Sequence, residues 1–321
     1  MAQPRTGRGS NLGFAEDDTS YGNPAGSMTA FIRVFSAGIT NVLNYVPVGT
    51  LADSNNASEV VSAHIVNEQT ISGTVEVPLM AEGMGLLLKH SLWAVATTGS
   101  GPYVHTYTVS SSRPALGLTL EQNIGAVSDI FPGARVSKMV LKGEVGNGVC
   151  RAAFDFIAQA PTTSRDASPS TPTYTTNEAA SRIEWWRGAT ASIGGNAYKI
   201  QSFEFTLDRR LEAIRSISGL VTDDPATSDR PMVSGKFRLA KYDDQLYTDY
   251  VAGTSANLTL TLTSGAKSIA FTLHSALITA YNEPPGTGPT IIDLEVTAQS
   301  TSGNSGFAIA VTNSQSSATA A

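Results

Sequence analysis

The sequence predicts a mainly β protein built from two similar β-sandwich or barrel domains, each with one flanking α-helix. Three observations support this fold class. Short runs rich in β-branched and aromatic residues recur along the chain, one amphipathic helical stretch interrupts them in each half, and segments of the first half return in the second. A length of 321 residues is enough for two cores of ordinary size.

Two pairs of segments carry the internal repeat. Ile71-Ser72-Gly73 and Val233-Ser234-Gly235 each open an alternating strand that leads into a short helical stretch. The segment FDFIAQA at 154–160 returns as LEVTAQS at 294–300. Because the spacing is about half of the chain, the repeat indicates two copies of one domain and not a solenoid of short units.

These signals divide the chain into five segments. We expect an N-terminal arm at 1–28, a first β domain at 29–160, a Ser/Thr/Pro-rich linker or loop at 161–180, a second β domain at 181–312 and a flexible tail at 313–321. Helices are predicted at about 82–93 and 243–251, where apolar residues recur at helical spacings. Strands are predicted at 30–36, 60–66, 71–77, 103–110, 116–122, 135–145, 149–157, 199–207, 233–239, 258–262, 269–274, 291–297 and 307–311. The run from Arg135 to Val140 leaves its buried side undecided, because neither face is purely apolar.

Composition excludes several classes of function. The net charge is -6 and only 15% of residues are charged, against about 25% in typical domains. A mildly acidic surface does not attract nucleic acid. Low charge favours a surface covered by other copies of the chain, and the alternative is a Thr-rich β protein that stays monomeric.

The sequence also gives expectations about compartment. A lone cysteine, Cys150, permits no internal disulfide and is expected to pack as a small apolar residue. The N-terminus lacks the apolar segment of a secretory signal, and no apolar run reaches the ~18 residues that span a bilayer. We therefore expect a chain made in a reducing cytoplasm, without membrane contact.

No motif in the sequence predicts catalysis. His64, His90, His105 and His274 have no second ligand at a metal-binding spacing, and nucleophile-elbow, zinc-protease and phosphate-loop motifs are absent. We expect no enzyme, catalytic residue, cofactor or metal, although a hydrolase with scattered paired acids is an open alternative. The sequence Trp185-Trp186-Arg187 stands out, and three interpretations remain: core packing, a subunit contact, or with Tyr174 a stacking platform for sugars.

Several segments, in their order, match a known family. The chain has Gly13-Phe14-Ala15-Glu16 and Tyr21-Gly22 near its start, and later SFEFTLDRRLEAI at 202–214, Gly219-Leu220, the Val-Ser-Gly strand, LYTDY at 246–250 and a Thr/Leu-alternating strand at 258–262. In this order of segments the chain resembles the tail tube (major tail) proteins of long-tailed, siphovirus-type bacteriophages.

The resemblance implies a structural virion protein that self-assembles into stacked rings and forms the tail tube, the conduit for genome ejection. Rings of that family are six-fold or pseudo-six-fold, so two domains per chain permit trimeric pseudo-hexameric rings beside hexameric ones. Implied partners are a tape-measure protein, a tail terminator and distal tail proteins, while DNA passes through the lumen without specific binding.

Residues for subunit contacts are predicted from the same resemblance and from residue type. The candidates are Phe14, Tyr21, Trp185, Trp186 and Arg187, with the arm and the linker as segments for contacts between rings and subunits. The alternative function is a carbohydrate-binding or adhesin-like β-sandwich module. Among virion proteins, a tail terminator or a capsid decoration protein is the nearest rival.

Overall fold

A computed structural model shows a mainly antiparallel β protein, as the sequence predicts. Within the described residues the chain forms nineteen strands and two helices. The structure describes residues 11–48, 63–123, 127–159, 170–172, 189–215, 223–241, 243–284, 290–301 and 305–319.

The elements follow one another in two series. The first series is β1 (Asn11–Glu16), β2 (Ala30–Arg33), β3 (Ser36–Val48), β4 (Ala63–Pro78), α1 (Gly85–Leu92), β5 (Trp93–Thr98), β6 (Tyr103–Val109), β7 (Leu118–Asn123), β8 (Ser128–Glu144) and β9 (Arg151–Ala158). The second series is β10 (Thr190–Ile193), β11 (Asn196–Tyr198), β12 (Ile200–Asp208), β13 (Leu211–Glu212), β14 (Ala226–Thr227), β15 (Met232–Ala240), α2 (Gln245–Ala252), β16 (Ser255–Ser264), β17 (Lys267–Asn282), β18 (Ile291–Thr297) and β19 (Phe307–Asn313). Both predicted helices are confirmed, with ends shifted by one to three residues.

Eight of the strands form one continuous antiparallel sheet, called here the long sheet. Its order is β3–β4–β9–β8–β12–β15–β18–β17. The first four strands and the last four repeat the same arrangement, so β3 is equivalent to β12, β4 to β15, β9 to β18 and β8 to β17. We call these two halves of the long sheet the first and second units.

The sequence repeat and the structural repeat coincide in register. Gly73 lies opposite Phe156, and Gly235 lies opposite Val296. Both glycines belong to the Ser-Gly segments, and both partners belong to the segments FDFIAQA and LEVTAQS. The two echoes in the sequence are therefore paired neighbours in each unit, which explains why they are preserved together.

Even an irregularity of the sheet is repeated. The β8–β9 register shifts between Val136 and Lys138, and the β17–β18 register shifts between Ile278 and Ala280. The extra residue in each bulge has a hydroxyl that donates to the backbone of the facing strand. The two hydrogen bonds are Ser137 Oγ to Asp155 O at 3.1 Å and Thr279 Oγ1 to Glu295 O at 3.2 Å. A bulge at the same place in both units is a designed feature of the fold.

A second layer packs on the long sheet. In it β1 pairs with β2 and β7, and β10 pairs with β11 and β16 in the equivalent arrangement. The hairpin of β5 and β6 is present in the first series alone and pairs with β19, which links the two halves on this side. β17 bends from one layer into the other, because its first half pairs with β16 and β19 and its second half with β18. Phe205 of the long sheet therefore lies 5.0 Å from Phe271, in the first half of β17, and 5.8 Å from Phe307 of β19 between ring centroids.

The predicted segment limits relate to the structure as follows. Residues 11–16, assigned to the arm, form β1, whose central residues are fully buried between β2 and β7. Most of the predicted linker lies outside the described residues, so the limits of the domains stay a prediction. The run from Arg135 to Val140 lacks a clean alternation because the bulge at Ser137 changes its phase, so that Val136 and Met139 both face the core.

Candidate assembly surfaces

The long sheet has one apolar face and one charged face. Val75, Phe154 and Phe205 belong to the apolar face and are buried in the core. The residues that alternate with them point to the opposite side. There, an open groove of about 590 Å³ crosses the joint between the two units and is lined in part by Lys142, Glu144, Glu204, Lys236, Arg238 and Glu295.

Four cations on the charged face lie beside carboxylates of an adjacent strand or of the strand beyond it. A polyanion binds a protein by exchanging its counterions for Lys and Arg side chains. Cations already paired with a carboxylate are less available for that exchange. The four pairs are Lys236–Glu295 (2.8 Å), Arg238–Asp293 (3.9 Å), Lys142–Glu76 (2.9 Å) and Arg151–Glu76 (3.3 Å).

The ion pairs favour the charged forms of their members. The hydrogen bond to Glu295 raises the pKa of Lys236. Burial acts to raise the pKa of Glu76, but Lys142 and Arg151 together outweigh it and hold that pKa below its usual value. Exposed pairs of this kind add little to folding stability. Their main consequence is a surface on which positive charge is locally neutralised.

The two units join edge to edge through β8 and β12. The ladder runs from Ser202 opposite Glu144 to Asp208 opposite Lys138. The N–H of Arg209 extends it by donating to the carbonyl of Ser137 at 2.8 Å. The chain therefore contains one complete example of a contact between two equivalent units.

Arg209 of the second unit binds to the end of helix α1, which follows β4 of the first unit. Its side chain is fully buried, with Nε donating to the carbonyl of Ser91 at 2.6 Å and Nη1 to that of Ser110 at 3.0 Å. The guanidinium carbon lies 4.0 Å from the centroid of the Trp93 ring. Burial lowers the pKa of Arg209, while the carbonyl of Ser91 near the end of α1, the carbonyl of Ser110 and the face of the Trp93 ring stabilise its positive charge.

The corresponding edges at the two ends of the long sheet are open in a single chain. Among the described residues, β3 pairs with β4 alone, and the stretch of β17 from Ile278 to Asn282 pairs with β18 alone. The edge of β3 is equivalent to the edge of β12, and this stretch of β17 is equivalent to the part of β8 that receives it. Open edges present unpaired backbone groups that can pair with another strand.

Two of the predicted subunit contacts lie within the chain. Phe14 is fully buried on β1, in the core. Tyr21 donates its hydroxyl to the carbonyl of Gly133 at 2.6 Å, and the Arg135 guanidinium carbon lies 4.8 Å from the centroid of its ring. A role for these two residues between subunits stays a prediction.

The other three predicted contacts, Trp185, Trp186 and Arg187, lie outside the described residues, and so does Tyr174. The open edges of β3 and β17 were missed by the sequence analysis. A usable signal was the run from Val42 to Val46, where four of five residues are large and hydrophobic, a pattern typical of a covered surface.

Other expectations about chemistry concern single residues. Cys150 is buried, and burial raises its pKa to about 12, which confirms its packing as a small apolar residue. In the part of the chain that the structure describes, no group of three or more His, Cys, Asp and Glu residues is arranged to hold a metal ion. Over the same residues, neither helix is long and apolar enough to cross a membrane.

Comparison with known proteins agrees with the resemblance found in the sequence. A family model described as phage tail tube protein matches residues 7–300. No curated protein matches the sequence. Because the family match covers nearly the whole chain, this chain belongs to the phage tail tube protein family and is a structural protein of the virion tail that assembles with itself into a tube.

Proposed function

We propose that three copies of the chain join head to tail into a closed ring, and that such rings stack into the tube of a siphovirus-type tail. The observation that supports this is the long sheet, which contains two equivalent units and has an open edge at each end. Repeating the internal joint between copies pairs both open edges of the long sheet once that sheet closes on itself. A head-to-tail contact whose rotation closes generates a ring.

The number of chains follows from the repeat. Each chain supplies two equivalent positions, so a ring with six equivalent positions takes three chains. This supports a trimeric pseudo-hexameric ring over a hexameric one, which would contain twelve such units.

The charged face of the long sheet is proposed to line the lumen. Ion pairs there neutralise Lys142, Arg151, Lys236 and Arg238, so passing DNA finds few free cations. The genome would then move through the tube during ejection without specific binding. A tape-measure protein, a tail terminator and distal tail proteins are proposed as further partners, the role is structural and not catalytic, and synthesis takes place in the host cytoplasm.

The carbohydrate-binding or adhesin-like alternative receives no support. Its proposed platform, formed by Tyr174, Trp185 and Trp186, lies outside the described residues. Nothing else in the described part of the chain favours it, and we advance no second function.

Electron microscopy of the purified protein, concentrated in moderate salt, tests the proposal. We expect stacked rings or tubes with a central hole, and class averages with six similar lobes. Native mass spectrometry of dissociated rings should give three chains of 33.6 kDa each. Rings of six chains, or a protein that remains monomeric at every concentration, would contradict the proposal.

A further inference from the structure

We propose that β3 of one copy pairs antiparallel with the end of β17 of the next copy, with Thr40 opposite Asn282, and that Leu43 closes this contact against α2. We call this contact the seam. The inference rests on the ring assembly proposed above and adds to it the register of the contact and the residues that make it.

The β3 side of the register follows from the joint inside the chain. There, Thr206 of β12 lies opposite Val140 of β8. Thr206 also faces Ser234 of the second Ser-Gly segment, and Thr40 faces Ser72 of the first. Thr40 is therefore the residue of β3 that occupies the place of Thr206.

The β17 side follows from the other repeated segment. Val140 lies opposite Ala153, and Asn282 lies opposite Asp293. Ala153 and Asp293 are the residues immediately before the two echoes FDFIAQA and LEVTAQS. Asn282 therefore occupies the place of Val140, and applying the internal register to the seam puts Thr40 opposite Asn282.

The backbone of β3 has the polarity that this register requires. In the internal joint, Arg209 N donates to Ser137 O, so the odd-numbered residues of β12 face β8. Ile39 is the equivalent of Phe205 and should have its N–H on the open edge. In the single chain that N–H donates to the side-chain oxygen of Gln122 at 3.2 Å. A side chain thus holds the position that a strand carbonyl, that of Glu283, would take in the seam.

The residue beyond β17 also fits. Pro284 has no N–H and cannot contribute a donor to a ladder. The proposed register places it opposite Gly38, an even-numbered residue of β3 whose backbone groups do not face the seam. Proline is tolerated at such a position of an edge strand.

The side chains beside both open edges are apolar and exposed in a single chain. On α2, Tyr247 is 51% and Val251 67% exposed, while Val42 and Leu43 of β3 are 56% and 39% exposed. A groove of about 750 Å³ lies beside α2 at the end of β17, lined by Lys241, Asp244, Tyr247, Tyr281, Glu283, Pro284 and Thr290. Exposed apolar side chains rimmed by polar ones are typical of a protein interface.

The internal joint shows what should cover this surface. Leu43 lies three residues after Thr40, and Arg209 lies three residues after the equivalent Thr206. Leu43 therefore occupies the place of Arg209. Val251 occupies the place of Ser91, since each is the seventh residue of an eight-residue helix. Arg209 meets the carbonyl of Ser91, whereas Leu43 would meet the apolar side chain of Val251. The seam therefore uses an apolar pair where the internal joint uses a buried cation, and it buries no unpaired charge.

Disulfide trapping tests this register. Opposite residues of a non-hydrogen-bonded antiparallel pair have Cα atoms about 4.5 Å apart, within disulfide range, whereas diagonal neighbours are about 7–8 Å apart. The test chain contains Thr40→Cys and Asn282→Cys. The out-of-register control contains Thr40→Cys and Ala280→Cys. The matched positive control, Thr206→Cys with Val140→Cys, places the same pair in the internal joint and should link within one chain.

We expect mild oxidation of assembled rings to link the test chain into dimers and closed trimers and nothing larger, with at least about tenfold more product than the out-of-register control. Within one chain the two cysteines are about 33 Å apart along the sheet, seven strand spacings, so a link joins copies. Rings that form while the test pair stays unlinked and the positive control links would overturn the seam and leave ring assembly standing. Equal linking of the control would also overturn it, and the absence of rings would overturn both proposals.

Discussion

The two helices occupy the same place in the two units but differ in burial. Six of the eight residues of α1 are buried, whereas Leu246 is the single buried residue of α2. The hairpin of β5 and β6, which has no counterpart between α2 and β16, packs on α1 beside β8, and Arg209 of the second unit binds the carbonyl of Ser91 near the end of α1. Among the described residues, α2 packs mainly against β17, the equivalent of β8, and no hairpin covers it. The difference in burial therefore comes from the hairpin as well as from the following unit, and we propose that another copy covers the exposed Tyr247 and Val251 of α2.

Removing the Arg209 side chain from the end of α1 should cause the largest change, a loss of folding stability. Arg209→Ala deletes a fully buried side chain and leaves two carbonyls without their donors. We expect the free energy of unfolding to fall by about 4 kcal/mol, measured by urea denaturation of the monomer. The matched control is Arg210→Ala, because Arg210 is exposed and pairs with exposed Asp229. It should cost less than about 1 kcal/mol, and equal losses in the two variants would refute the anchoring role of Arg209.

A charge on α2 should affect assembly and not folding. Val251→Asp places a carboxylate on the apolar surface proposed to meet Leu43 and should weaken association by roughly 100-fold, about 3 kcal/mol. Its effect on monomer stability should stay within about 0.5 kcal/mol, since Val251 is exposed. Sedimentation velocity over a concentration series measures the strength of association. Gln245→Asp adds the same charge on the first turn of α2, about 120° around the helix from Val251, and should assemble normally.

The repeated bulge offers a smaller and more local comparison. Ser137→Ala and Thr279→Val each remove one hydroxyl-to-carbonyl hydrogen bond at equivalent places. Ser137 lies at the covered internal joint and Thr279 at the open edge. In the monomer we expect Ser137→Ala to lower the free energy of unfolding by about 1 kcal/mol. Thr279→Val should lower it less, because water can replace the exposed hydrogen bond of Thr279. Thermal unfolding of the monomers would show the order, and the reverse order would contradict the equivalence.

The last comparison concerns pH and is confined to acid conditions. Glu16 on β1 lies 3.1 Å from His90 and 2.7 Å from Lys89, both on α1. The hydrogen bond with His90 is the main cause that lowers the Glu16 pKa from 4.5 to about 2, against the opposing effect of burial. A carboxyl with a lowered folded pKa stabilises the fold above pH 4.5 and loses that contribution as the pH falls toward 2.

Glu16→Gln should therefore flatten the loss of stability between pH 4.5 and 2, measured by urea denaturation at several pH values. His90 is buried and has a lowered pKa, so its own acid sensitivity, which begins near pH 6.5, should remain in the variant. An unchanged slope below pH 4.5 would rule out the role of Glu16. The second unit offers no equivalent contact, because Gly195 follows β10 at the corresponding place.

The repeat could be predicted from the sequence because its two similar segments are paired strands in each unit. The Ser-Gly segments and the two echoes around Phe154 and Leu294 face each other in both units, so a change on one strand is constrained by the other. The helices were also predictable, since their apolar residues recur at helical spacing. The structural equivalence of β7 with β16 and of β1 with β10 could not be predicted from the sequence. These strands pair in the same register in both halves, but their side chains differ.

Other features were hidden for a physical reason. The bulge at Ser137 breaks the two-residue period, so Arg135 to Val140 reads as ambiguous although its core residues are well defined. Most of β3 is solvent-facing in a single chain and lacks the polar alternation of an ordinary exposed strand. The assembly surfaces were missed because they depend on which edges stay open, and that is a property of the topology and not of a local pattern.

A near-atomic electron cryomicroscopy map of the assembled tube would test the trimeric ring and the seam together. We expect three chains per ring, β3 of each copy antiparallel to β17 of the next, Thr40 opposite Asn282, and Leu43 in contact with Val251. A map in which six chains form the ring, or in which these two edges face other partners, would contradict this expectation.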